Sequence, residues 1–216
     1  MINFLLTHHF SELNELHRLS NKINFNVLEK VNQTHATKKI KNSTLQFSQI
    51  DNSLDYFKCK NDEGFCFIYG ELFDKKKLIN KLSILSPNNN FDSLSELFFI
   101  CRDRLNSNMI DFINGAYTIC IVDFKKNQLL IFNDKYGLKP TYYEFDRANK
   151  VFRLSSLPRY ISEESKKQTL LDLSGLAKLL SIKYIYGSST LRSGIKNLEP
   201  GSFLRFNPSG LMDEQR

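Results

Sequence analysis

The sequence predicts an α+β chain built around several antiparallel hairpins. Three observations carry that prediction. The run from Asn114 to Tyr143 alternates apolar stretches with polar tips, as consecutive strands do. Gly64 to Leu72 is an unbroken apolar run of strand length. Leu94, Leu97, Phe98, Cys101 and Leu105 recur at helical spacing.

The elements follow in order. Ile2 to Leu6 is apolar enough for a first strand, and Ser11 is placed to cap a short helix carrying Leu13 and Leu16. Asn24 to Asn42 lacks periodicity and is expected to loop. Thr44 to Ile50 alternates like a half-buried strand, Tyr56 to Lys60 is a further strand candidate, and Gly64 to Leu72 reads as a strand covered on both faces. Asp74 then caps a helix with Leu78, Ile79 and Leu82 on one face, and Ser93 with Glu96 forms a capping box.

Within the central run, Ala116 to Val122, Leu129 to Phe132 and Thr141 to Phe145 are strands. The turn before the last of them, Asp134 to Pro140, is rigid: Gly137 tolerates positive φ, and Pro140 fixes its own φ while restricting Lys139. Val151 to Ser155 is another strand. Asp172 opens a late helix with Leu176, Leu179 and Leu180 inward, and Gly187, Gly194 and the Pro200-Gly201 turn bracket the end.

Composition narrows the function classes. The chain has 216 residues and 41% hydrophobic content, enough for one sizeable core, so 1–216 is read as a single domain. No apolar run approaches the about 20 residues of a membrane span, and Met1 to Leu6 lacks the basic start of a signal peptide, so a cytoplasmic protein is expected.

Cys59, Cys66, Cys101 and Cys120 show no metal-ligand spacing and are expected to be reduced, buried thiols. His8, His9, His17 and His35 likewise form no ligand pattern, so no metal and no cofactor is expected. The formal net charge of +7 raises the question of nucleic acid. The lysines at Lys38, Lys39 and Lys41 sit in a region read as a loop, and Lys75 to Lys77 lie on a helix. Neither group interleaves with exposed aromatics, so nucleic-acid binding is not expected.

The turn Asp134-Lys-Tyr-Gly-Leu-Lys-Pro140, continued by Thr141, Tyr142 and Tyr143, resembles the D-R-F-G-I-K-P-L-Y-Y signature of the asparagine synthetase family, in its glutamine-hydrolysing class II amidotransferase domain. Ile68-Tyr-Gly-Glu-Leu-Phe-Asp74 resembles that family's F-N-G-E-I-Y-N stretch, and Ile113-Asn-Gly-Ala-Tyr-Thr118 its L-N-G-M-F-A segment. Leu154-Ser-Ser156 resembles the F-A-S before a structural helix. The pieces between Leu176 and Gly201 resemble the run that closes the domain. The resemblance implies a four-layer α/β/β/α sandwich of two mostly antiparallel sheets, the N-terminal-nucleophile hydrolase fold.

The reacting groups depart from the pattern. The family attacks the glutamine amide with an N-terminal cysteine whose own α-amino group is the base, and here that position is Ile2. The oxyanion is held by an Asn side chain and the N–H of the next Gly; Gly70 is present, but Tyr69 stands in the Asn position. Losing one such donor removes about 3 to 4 kcal/mol of transition-state stabilisation.

Aligned without gaps, the acidic residue that holds the substrate amino group corresponds to Leu94, with Asp92 able to replace it only if the backbone shifts, and no Arg-Gly pair supplies the carboxylate clamp. Gly70 and Glu71 fit a vestigial glutamine site, but both also suit a strand-to-loop exit, the favoured reading.

The resemblance therefore implies a degenerate domain of the kind found in β-lactam synthetases and lasso-peptide cyclases, not an enzyme on its own, with weak or no glutamine binding. Its partner would be an ATP-dependent synthetase domain or subunit, contacted through Asp134, Gly137, Lys139 and Pro140. Two alternatives stand beside this: a stand-alone module docking on a separate synthetase, and the N-terminal fragment of a glutamine-hydrolysing asparagine synthase. No pyrophosphate-gripping S-G-G-x-D-S loop occurs in the 216 residues.

Overall fold

The period-two runs of the sequence pair into two antiparallel sheets of six strands each among the described residues. The computed structural model describes residues 4–9, 34–40, 43–49, 55–59, 63–85, 91–166 and 170–215. The strands are β1 (Phe4–His9), β2 (Thr34–Ile40), β3 (Ser43–Gln49), β4 (Asp55–Lys58), β5 (Gly64–Leu72), β6 (Gly115–Asp123), β7 (Gln128–Asn133), β8 (Tyr142–Asp146), β9 (Val151–Ser155), β10 (Lys196–Asn197), β11 (Phe203–Asn207) and β12 (Gly210–Gln215). The helices are α1 (Lys75–Leu85), α2 (Leu94–Cys101), α3 (Pro158–Ser165) and α4 (Leu173–Ile182). None is long and apolar enough to cross a membrane.

The chain groups into two compact units. One comprises 51–139 with 200–216, the other 1–50 with 140–199. In the first unit the sheet order is β12-β11-β7-β6-β5-β4. Alternate residues of the central strands, Cys66 and Ile68, Ile119 and Ile121, Leu130 and Phe132, face a core that also takes Leu97 and Phe98 of α2 and Leu78 and Leu82 of α1. Each such side chain contributes about 1.5 to 3 kcal/mol by leaving water, so this apolar layer fixes the register of the sheet.

Arg102 closes the edge of that core. Its Nε meets the fully buried Asp123 carboxylate at 2.6 Å, and its Nη1 donates to the Phe99 carbonyl.

In the second unit the order is β10-β8-β9-β1-β3-β2. Helix α3 packs on β9 and β8, and Leu5, Tyr160, Ile161 and Ile195 form a small core. Its most constrained polar group is His8 on β1, wholly buried, with Nδ1 2.7 Å from Ser43 Oγ.

Several expectations need correction. Asn24 to Asn42 is not all loop, because 34–40 pairs along its whole length with β3. Lys38 and Lys39 are therefore strand residues. The pairing partner supplies what the local sequence lacks. Leu180 does not turn inward: it is 74% exposed, and Gly175 is the buried residue of α4. Glu96 caps one residue further out than a capping box requires, accepting from Asp92 N at 2.7 Å while Ser93 Oγ accepts from Glu96 N. Cys59 is half-buried, whereas Cys66, Cys101 and Cys120 are buried. The helix expected from Ser11 lies outside the described residues.

The central run does hold three strands, β6, β7 and β8. β6 and β7 pair with each other, but β8 joins the other sheet, so Asp134 to Pro140 is a crossing between sheets.

Candidate functional site

Of the residues singled out by the sequence, Tyr69, Gly70 and Glu71 lie at the C-terminal end of β5, and Asp134, Gly137, Lys139 and Pro140 in the turn after β7. β5 runs antiparallel to β6 with Tyr69 opposite Thr118, Gly70 opposite Tyr117 and Glu71 opposite Ala116. The two backbones approach closely here. Gly70 has φ +110, and a Cβ on it would sit 2.1 Å from the Ala116 carbonyl oxygen; one on Gly115 would sit 2.3 Å from that of Glu71. Only glycine fits either place. The exit from β5 is pinned further by Phe73 N donating to the Asn114 carbonyl at 2.8 Å.

Tyr69 is buried, and burial raises its phenol pKa, so it stays neutral and can only act as a hydrogen-bonding hydroxyl. The Lys139 ammonium lies 5.6 Å from the centroid of its ring, within cation–π range. Glu71 points outward and is exposed.

The turn is organised by one side chain. Asp134 is fully buried, and its carboxylate accepts the N–H groups of Tyr136 at 3.0 Å, Leu138 at 3.1 Å and Lys139 at 3.4 Å. Its own backbone is equally committed: its N–H donates to the Tyr117 carbonyl, and its carbonyl accepts from Gly137 and Gly201. Gly137 holds φ +63 against Pro200, where a Cβ would meet Cγ at 2.9 Å. This arrangement makes the turn rigid, as the sequence predicts. It also makes Asp134 a positioning residue whose two carboxylate oxygens both accept from the turn backbone.

The structure brings together Tyr69 and Lys139, and Asp134 with Gly137 and Lys139. It does not bring Leu94 to the same task. Leu94 begins α2, is 8% exposed, and packs into the apolar core with Leu97 and Phe98. Pro140 is exposed. Ile2 lies outside the described residues.

One residue was not anticipated. The Tyr117 hydroxyl is buried with no hydrogen-bond partner, and its pKa is pushed up first by burial and then by the Asp134 charge. Its place in the Ile113 to Thr118 segment gives no spacing signal for that hydroxyl; it is visible only once Asp134 is placed beside it. Among the described residues no set of three His, Cys, Asp or Glu converges as a metal site requires.

What this arrangement offers chemically at the strand exit is one neutral phenol, Tyr69, beside one ammonium, Lys139; the Tyr117 phenol projects from the opposite face of the sheet, with the core residues Ile119 and Ile121. Tyr69 and Lys139 supply hydrogen-bond donors but no nucleophile paired with a base.

Comparison with known proteins places the fold. Residues 54–215 match the family described as a glutamine amidotransferase domain. Over 151 residues the chain is 24% identical to asparagine synthetase (glutamine-hydrolyzing) 3 of Bacillus subtilis (strain 168), covering 69% of this chain and 24% of that protein. It is 27% identical over 158 residues to synthetase 2 of the same organism, covering 68% and 20%. The chain thus spans about a quarter or less of the length of these relatives. In fold it is similar to glutamine phosphoribosylpyrophosphate amidotransferase from B. subtilis, solved with ADP and GMP. The TM-score is 0.52 at 14% identity, over 100% of this chain and 42% of that one. The α+β class with two antiparallel sheets, of the N-terminal-nucleophile hydrolase type, is therefore shared with an amidotransferase.

Proposed function

This chain belongs to the glutamine amidotransferase domain family, in its asparagine-synthetase-like branch, and from that premise we propose that it keeps the amidotransferase scaffold without hydrolysing glutamine and serves an ATP-dependent, amide-forming ligase. The observation that carries the proposal is Tyr69. Where the resemblance puts an Asn amide to hold the oxyanion, β5 presents a buried phenol beside the Lys139 ammonium. A phenol is longer than a carboxamide and delivers its donor further from the backbone, so the N–H of Gly70 would act without its companion.

Leu94 supports the same reading, because the position assigned to the substrate's amino group holds an apolar side chain committed to the core. The Leu94 side chain itself offers an ammonium no counter-charge, and the Asp55 carboxylate beside it is taken up by the N–H and hydroxyl of Ser95. The ligase half of the proposal is supported by the names of the relatives, which are synthetases.

Titration of the full chain with L-glutamine by calorimetry tests the proposal: no saturable heat is expected at millimolar ligand. Stoichiometric glutamine binding would oppose it.

A second reading, a module that docks on a separately encoded synthetase, is favoured by Tyr136 and Leu138. Both side chains are exposed on a turn whose backbone the Asp134 carboxylate holds rigid. Co-purification with an ATP-dependent amide ligase, lost on Tyr136→Ser, supports it. A chain that purifies alone contradicts it.

A further inference from the structure

Helix α4 is built inside out relative to an ordinary surface helix. Its buried residue is Gly175, and a Cβ there would stand 2.1 Å from the Thr190 carbonyl oxygen, so α4 lies backbone to backbone on the 190–191 segment. Asp172 fixes its start by accepting Gly175 N at 2.8 Å, and Asp172 N in turn donates to the Leu191 carbonyl. At about 100° per residue, positions 173, 177 and 180 fall on the side opposite Gly175. They are Leu173, Ala177 and Leu180, with Leu173 75% and Leu180 74% exposed. Ile182, Tyr184 and Tyr186 continue the exposed apolar surface beyond the helix. Seven of the large hydrophobic side chains exposed in the described structure fall between Leu170 and Tyr186.

The charges around this face are mainly positive. From Leu170 to Leu198 the only carboxylate is Asp172, and it is used as the cap; Glu199 follows, its Oε1 3.8 Å from an ideal Cβ on Gly187, and Lys178 and Lys183 flank the apolar stripe. We propose that the α4 face is a docking surface for an acidic amphipathic protein segment, whose apolar side chains cover Leu173, Ala177, Leu180 and Tyr184 while its carboxylates meet Lys183 and Lys178.

The charge pattern selects that occupant over a second copy of the chain, which would set basic rim against basic rim. Rigidity selects it over a lipid surface. Lys178 Nζ donates to Ser189 Oγ at 2.6 Å and lies 4.5 Å from the Tyr186 ring centroid. Lys183 and Gly187 hold left-handed φ at 57 and 73°, folding the connection back tightly. Aromatic anchors held in place are the mark of protein contacts, whereas interfacial helices carry several lysines that reach freely to headgroups. The proposal does not depend on whether the chain hydrolyses glutamine.

The test uses the full chain and a fluorescent synthetic helix of about 20 residues with Leu at i, i+3, i+4 and i+7 and Glu on the flanks. Anisotropy should report saturable binding that weakens with salt and falls about tenfold on Leu180→Ser and on Lys183→Glu, both exposed positions. A peptide with Lys in place of Glu should not bind. Circular dichroism establishes that each variant is folded. Absence of binding, or equal binding of the Lys peptide, overturns the proposal. So does sedimentation with phosphatidylserine vesicles without peptide binding, which would assign the face to an anionic membrane. A concentration-dependent dimer abolished by Leu180→Ser would assign it to a second copy and overturns the proposal likewise.

Discussion

The Ala116 carbonyl oxygen occupies the space that a side chain on Gly70 would need, at 2.1 Å from an ideal Cβ. The glycine that the family resemblance assigns to an oxyanion hole is thus required by strand packing, whatever its N–H does. Gly70→Ala must shift the β5 exit and also accept φ +110, a strained conformation for an L side chain. A loss of about 2 to 4 kcal/mol is expected, read as a lower urea midpoint with unchanged slope.

Restoring the missing acid at position 94 should not restore a site. Leu94→Asp places a carboxylate among the apolar side chains of Leu97, Phe98 and their neighbours, next to Ser95, which already holds the Asp55 carboxylate. The expected result is destabilisation by about 3 kcal/mol or more and no gain of glutamine binding in calorimetry.

Asp134 supplies three acceptor contacts in the interior, so Asp134→Ala leaves the N–H groups of Tyr136, Leu138 and Lys139 without their carboxylate. A loss of about 3 kcal/mol in thermal or urea unfolding is expected. Asp134→Asn, which keeps one carbonyl oxygen, should lose less. Equal losses would show that the negative charge, and not the acceptor geometry, holds the turn.

His8 makes stability depend on pH. Burial, and then the neighbouring His9 charge, lower its pKa to about 3, against 6.5 for an ordinary histidine. The folded chain therefore binds fewer protons than the unfolded chain between these values. The contribution is fully present above pH 6.5 and is lost progressively as pH falls toward 3. Between pH 6.5 and 5 the loss approaches about 2 kcal/mol, and His8→Gln should flatten this part of the stability profile.

How much of this was legible in the sequence depended on whether the signal was local. Ser93 and Asp172 announced their helices because a cap acts on residues three positions away. β5, β6 and β7 were legible because they are apolar on both faces. β2 was not, since its strand character comes from pairing with β3. The hairpin of β11 and β12 likewise draws its order from β7.

In the candidate site, the rigidity of the 134–140 turn could be read from Gly137 and Pro140, but its cause, the buried Asp134 carboxylate, could not. Neither could the Tyr117 hydroxyl, which matters only through a residue that chain folding brings beside it. Leucine periodicity also misassigned Leu180. A helix seated on a glycine faces its backbone inward, and the apolar stripe then points to whatever docks on it.

The most direct measurement is ammonia release from L-glutamine by the full chain, followed with a glutamate-dehydrogenase-coupled assay against a boiled control, with Tyr69→Asn run in parallel. Ammonia at the level of the boiled control for both proteins is the result the account predicts, because one amide donor does not replace a missing counter-charge at Leu94. Release by the unmodified chain that rises in proportion to protein and saturates with glutamine would contradict it.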